Sequence, residues 1–181
     1  LKNTLLDLIK EEIEKAKAGE ETSIFLKMNS LTDRQLIDAL KEASQSGVKI
    51  KMIIRGICCI LPGIEGKTDN IEVISVVGRF LEHSRIFCFG TGENMKMYIA
   101  SADWMTRNTE NRVEIAAPIY DQKIKNSIYD TLRIMWKDNL KARILCSDGT
   151  YKKPEIKEGD ELIDCQNYLR HEYKVGRKIK L

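Results

Sequence analysis

Residues 23 to 54 constrain the fold more than any other stretch. A short β-rich run, SIFLKM (23–28), is followed by a helical pattern and then by a second β-rich run, VKIKMII (48–54). The helix between them carries Leu36, Ile37, Leu40 and Ala43 on one face, with Thr32 and Gln35 spaced as a capping box and Gly47 near its end. Strand, helix and strand in close succession imply a parallel pair joined by a right-handed crossover. The second run is continuously apolar from Met52, as a strand entering a core covered on both faces should be. Ligands of open α/β sheets sit beyond the carboxyl ends of the strands. Arg55 follows directly on such an end, and Gly56 after it allows close backbone approach.

The remainder fits around that unit. Leu5, Ile9, Ile13 and Ala16 repeat at helical spacing, with Gly19 as the stop. Beyond a loop rich in Gly, Pro, Asp and Asn (62–70), IEVISVV (71–77), RIFCF (85–89), MKMYIA (95–100) and RVEIAAPIY (112–120) read as strands. The short connection GTGEN makes RIFCF and MKMYIA antiparallel. A helix with Ile124, Ile128, Leu132 and Met135 on one face completes the core. The expected fold is α/β: a mixed sheet of about six or seven strands with helices on both faces. The pattern weakens after Cys146, so residues 1–150 are expected to form the domain and 151–181 a C-terminal extension of uncertain structure.

Composition excludes little. A chain of 181 residues, 43% hydrophobic and 31% charged, suits one globular domain. A net charge of +3 does not by itself argue for nucleic acid. The five cysteines, at 58, 59, 88, 146 and 165, are odd in number and lack metal-ligand spacing, so free thiols in an intracellular protein are expected. Cys58 and Cys59 lie in an apolar run and are expected to be buried. No secretory leader or 18-residue apolar run is present, and no transmembrane segment is expected. The chain opens inside a helical pattern, as a piece of a longer protein would.

The chemistry-bearing residues gather in three segments. In GRFLEHSRIFCFG (78–90), His83 stands between Arg79 and Arg85, and on an extended chain these can share a face. An imidazole that exchanges protons near neutral pH, flanked by guanidiniums, suits an oxyanion and makes a poor core. The bland alternative is a histidine hydrogen-bonded beside a strand. In YIASADWMTRNTENRVEI (98–115), Ser101 and Asp103 can orient the histidine, Arg112 adds charge, and Glu114 is a further orienting carboxylate or a partner of Arg112. Arg55 supplies a fork for phosphate, or a solvated charge. His171 and the basic end KVGRKIKL are expected at the surface.

Together, FLKMNSLTD, VKIKMIIRGICCILPGIEG, VVGRFLEHSRIF, YIASADWM and NRVEI resemble the C-terminal part of bacterial polyphosphate kinases, over roughly residues 20 to 150. The resemblance implies a phospholipase-D-like fold and a position as the second of two related domains that share one active site. The superfamily pattern is His-x-Lys, then an aspartate, then Gly-Ser-x-Asn. Here it becomes His83-Ser84-Arg85, with Gly90 at the aspartate position and Ala100-Ser101-Ala102-Asp103 last.

By the same resemblance, the parent is an ATP:polyphosphate phosphotransferase. It moves the terminal phosphate of ATP reversibly to inorganic polyphosphate, through a phosphohistidine in the preceding domain. Magnesium accompanies ATP, with no metal ligand in this chain. Arg55 and His83 map onto nucleotide-contacting positions, and Arg79, Arg85 and Arg112 are expected to line the ATP and polyphosphate path. Expected partners are ATP or ADP, polyphosphate, the N-terminal domains of the parent chain and further copies in a homo-oligomer, with no nucleic acid. The location implied is cytoplasmic, or peripheral to the inner membrane. Two other readings stay open: a phospholipase-D-type phosphodiesterase or nuclease completed by homodimerisation, and a non-catalytic polyanion-binding module.

Overall fold

The computed structural model describes residues 1–175, so most of the basic C-terminal segment lies outside the described residues. The crossover unit forms as its pattern demands. β1 (Ser23–Met28) and β2 (Lys49–Ile54) are parallel, in register from Ser23 against Lys49 to Met28 against Ile54. β3 (Ile71–Val76) adds parallel to β2. On the other side β4 (Arg85–Phe89) runs antiparallel to β1, followed by antiparallel β5 (Lys96–Ala100) and β6 (Ala116–Ile119). β7 (Ala142–Leu145) pairs antiparallel with β3, and the two-residue β8 (Tyr151–Lys152) pairs with β7. The eight strands lie in the order β6-β5-β4-β1-β2-β3-β7-β8. The mixed sheet has eight strands where about six or seven are expected, the additions being the short β7 and β8 outside β3.

Strand alternation divides the core between two faces. Ile24, Leu26 and Met28 of β1 join Phe87, Phe89 and the apolar stripes of α1 (Lys2–Lys17) and α2 (Arg34–Gln45). Phe25 faces the other way, in the cluster of Ile86, Cys88, Leu132, Met135 and Cys165 that α4 (Gln122–Trp136) and α5 (Cys165–Lys174) cover. Its ring is met edge-on by Tyr129 and Trp136, with centroids 5.9 and 5.6 Å away, a favoured aromatic geometry. Lys27 shares the face of Phe25 by the same alternation. Residues 151–174 therefore contribute a strand to the sheet and a helix to the second core.

Several local expectations are corrected. The cap of α2 is Asp33, not Thr32: its carboxylate accepts the Leu36 amide at 3.2 Å. Asp33 is fully buried and also receives Lys2 at 2.9 Å and the Thr109 hydroxyl at 2.8 Å, which ties α1 and α2 to the short helix α3 (Thr106–Asn111). Burial alone would raise its carboxyl. Lys2, Thr109 and the Leu36 amide together hold it below the ordinary value. The expected strand at 112–120 shrinks to four residues, because Glu114 turns toward Ser101 and Asn108 ahead of it.

Cys59 is exposed and Cys58 half-buried, against expectation. After β2 the chain lies along Leu31 as a single bridge, not as a core strand, and Ile60 and Pro62 turn inward in place of the cysteines. Cys88, by contrast, is buried, and burial pushes its thiol up to about 12. All five cysteines are free. His171 lies at the surface of α5 beside Glu172, as expected.

Candidate active site at one end of the sheet

The register gathers the candidate residues at a single end of the sheet. The carboxyl ends of β1, β2 and β3, the start of β4 and the end of β5 coincide there, since Met28 pairs with Ile54, Lys27 with Ile86 and Arg85 with Ala100. Arg55 follows β2, Arg79 and His83 lie in the β3–β4 loop, and Arg85 opens β4. Ser101 and Asp103 follow β5, while Arg112 and Glu114 precede β6. Sequence separations of up to about sixty residues are thus closed by topology alone.

Within that edge the side chains divide by function. His83 is exposed, and among the described residues its imidazole has no hydrogen-bond or ion-pair partner. Its backbone is held: the Arg85 guanidinium donates to the His83 carbonyl at 3.0 Å. Asp103 does not reach the histidine. It accepts the amides of Asn29 (2.7 Å) and Ser30 (3.2 Å) and pairs with Arg85 at 3.0 Å. Burial raises the Asp103 carboxyl, but the Arg85 hydrogen bond and the Asn29 amide outweigh it, so the group sits below the ordinary value. Ser101 likewise donates to Glu114, which also takes the Asn108 amide at 2.6 Å. These bonds hold Glu114 below its ordinary value, with Arg112 and Arg85 adding by charge. Ser101, Asp103 and Glu114 therefore brace the loops, and Asp103 acts on His83 only through Arg85.

The arginines divide as well. Arg85 is turned inward, its side chain 19% exposed and committed to Asp103 and His83. Arg79 and Arg112 are exposed and Arg55 is half-buried, and among the described residues none of the three forms an ion pair. Arg79 lies over the Phe80 ring, 5.7 Å from its centroid, and keeps its N–H groups free of ion pairs. Three guanidiniums without an ion pair and one unpartnered imidazole on one edge can receive a multiply charged oxyanion. Among the described residues no three His, Cys, Asp or Glu side chains come together to hold a metal ion. The three carboxylates at this edge, Glu82, Asp103 and Glu114, are already engaged.

Two residues of the edge escaped sequence reasoning. Lys27 is 5% exposed, donates to the Ser84 hydroxyl (2.8 Å) and carbonyl (3.2 Å), and pairs with Glu82 at 3.2 Å. Burial presses it below the ordinary lysine value, Glu82 opposes this, and the Arg55 charge adds to it. A lysine inside the apolar run SIFLKM was the available signal, because lysine is almost never buried without a partner. Gln166, on α5, binds Phe80 and Glu82 from 86 and 84 residues away, and no local pattern announces it. Gly90, where the superfamily pattern has an aspartate, lies past the far end of β4. That is about 17 Å along the strand from Arg85. Its φ of +87° suits glycine, so the departure there concerns a turn and not the site.

The family model for polyphosphate kinase C-terminal domain 2 matches residues 1–166. The chain belongs to that polyphosphate kinase family. A polyphosphate kinase of Rhodopirellula baltica is 40% identical over 178 residues, covering 98% of this chain and 21% of the relative. That of Thermosynechococcus vestitus is 49% identical over 160 residues, 88% of this chain and 22% of the relative. The crystal structure of polyphosphate kinase from Porphyromonas gingivalis superposes with a TM-score of 0.92 at 37% identity, covering 97% of this chain and 27% of that one. The chain thus spans about a fifth to a quarter of its polyphosphate kinase relatives. NucT from Helicobacter pylori matches with a TM-score of 0.51 at 16% identity, over 76% of this chain and 92% of that one. A phospholipase D family member, Nuc from Salmonella typhimurium, matches with a TM-score of 0.50 at 16% identity, over 80% of this chain and 91% of that one. These two likenesses show the fold alone. Among the described residues no helix is long and apolar enough to cross a membrane.

Proposed function

We propose that this polyphosphate kinase domain supplies the nucleotide-facing half of a phosphotransferase site, in a longer protein that moves the terminal phosphate of ATP to inorganic polyphosphate. The observation that carries the proposal is the pairing, at one end of the sheet, of an uncommitted Arg55 with an exposed His83 whose backbone is fixed. Arg55 binds phosphate oxygens of ATP through its guanidinium fork. His83 donates a proton or hydrogen bond to the oxygen on which charge develops as the phosphoryl group leaves, and takes it back in the reverse direction. Arg79 and Arg112, exposed at the same edge, attract the polyanion by counterion release. Arg85 sets the His83 carbonyl and is tied to Asp103, so in this proposal it positions the loop before it touches phosphate.

Magnesium enters as the counter-ion of ATP, brought with the substrate. A phosphohistidine intermediate would form on a histidine outside this chain, and ADP, polyphosphate and further copies of the parent are the partners proposed. The cytoplasm, where ATP is at hand, is the location that suits this chemistry.

The test is Arg55→Ala in the full-length protein. Losing a charge-assisted hydrogen bond is expected to raise the KM for ATP by about 10- to 100-fold. Arg55→Lys, which keeps the charge but not the fork, should raise it less. An unchanged KM in both variants would overturn the assignment of Arg55.

A further inference from the structure

The loop that carries His83 has an unusual support. Residues 77–84 join β3 to β4, and among the described residues none of them makes a backbone–backbone hydrogen bond. Side chains from three separate elements hold it instead. Lys27 of β1 grips Ser84 and Glu82, Arg85 of β4 grips the His83 carbonyl, and Gln166 of α5 grips Phe80 and Glu82.

The Gln166 contact imitates a neighbouring strand. Its Oε1 accepts the Phe80 amide at 2.8 Å and its Nε2 donates to the Phe80 carbonyl at 2.8 Å, as an opposing peptide group would. The same Nε2 reaches the Glu82 carboxylate at 2.8 Å. Few side chains can do this, since the site asks for one acceptor and one donor in a single plane. Glutamate would lose the donor and face Glu82 with like charge. Gly78 makes room for it: a Cβ there would lie 2.4 Å from Gln166 Oε1, although the backbone at 78 is not in the left-handed region. Gln166 is itself fixed, because buried Asp138 accepts the Cys165 amide at 2.8 Å and Asp164 caps the helix at the Asn167 amide.

We propose that Gln166 is a positioning residue for His83: the carboxamide of α5 replaces a missing strand and sets the loop from which the imidazole reaches the phosphoryl group. This rests on the role given to His83 above. A loop without a ladder of its own would otherwise sample several placements. A displacement of about 1 Å at a reacting group costs on the order of 100-fold in rate.

The experiment uses the full-length protein and the near-isosteric variant Gln166→Met, with Gly78→Ala as an independent way to displace the same amide. Both are expected to lower kcat for polyphosphate formation by about 10- to 100-fold, while the KM for ATP stays within about threefold. The double variant Gln166→Met with His83→Ala should be no slower than His83→Ala alone, since both act through one group. Asp121→Ala removes the cap of α4 at the far end of the sheet; it should lower Tm without changing kcat. Additive losses in the double variant, or full kcat in both Gln166→Met and Gly78→Ala beside an inactive His83→Ala, would overturn the positioning role. A fully active His83→Ala would instead overturn the function on which it rests. A Gln166→Met protein that does not fold leaves Gly78→Ala to decide the outcome.

Discussion

Replacing His83 by alanine in the full-length protein is expected to slow polyphosphate formation from ATP by about 10²- to 10⁴-fold, the range for loss of a positioned acid or base. The structure makes this a clean measurement. The imidazole is exposed and has no partner among the described residues, so its removal leaves no buried group unsatisfied. The loop keeps its supports, because every contact that fixes it runs through Phe80, Glu82, Ser84 or the His83 carbonyl, all of which survive truncation. Tm should therefore hold while kcat falls, and the KM for ATP, which the proposal assigns to Arg55, should move little. The quantity to compare is steady-state kcat for polymer growth, with the reverse reaction from ADP as a check. Growth at the normal rate would remove His83 from the mechanism.

Asp103→Ala is expected to cost about 3 kcal/mol of stability, as removal of one partner of a buried ion pair does. It leaves the inward-turned Arg85 without its counter-charge and the Asn29 and Ser30 amides without their acceptor. For a chain of this length the loss corresponds to a fall in Tm of roughly 10 °C. The pH dependence gives a second readout. The carboxyl is held below its ordinary value in the folded chain, so its contribution is present above the unfolded value of 3.8 and is lost as pH falls through the folded value. Asp103→Asn should therefore be less stable than the parent near neutrality, and the gap should close in acid. A gap that is constant from neutrality to acid would show that Asp103 contributes through packing and not through charge.

The parts of the molecule legible in the sequence are those whose signal is local and repeated. The crossover unit was readable because the helical stripe of Leu36, Ile37, Leu40 and Ala43 and the apolar run at 52–54 are each long enough to show a period. The gathering of Arg55, His83 and Ser101 at one edge is set by the strand order, which no local pattern in the sequence gives. What a sequence conceals is which way a polar group turns. Asp103 and His83 looked like partners, yet the extended chain after β5 aims the carboxylate at the amides of Asn29 and Ser30 instead. α3, with six residues, and β8, with two, are too short to carry a period. α5 is amphipathic, but polar stretches surround it, and its one decisive side chain acts on a loop 86 residues away.

The two ends of the strand order carry a consequence for how this domain meets other molecules. β8 offers two residues as an outer edge, and the opposite edge, β6, has four, with Pro118 among them. Proline lacks the N–H that an incoming strand would need, and short edges offer few places to begin pairing. The sheet is thus blunted against extension from either side, which guards a crowded protein from runaway edge-to-edge assembly. On the β6 side Val113, Ile115 and Tyr120 stand exposed, so side chains are the larger part of what that side presents.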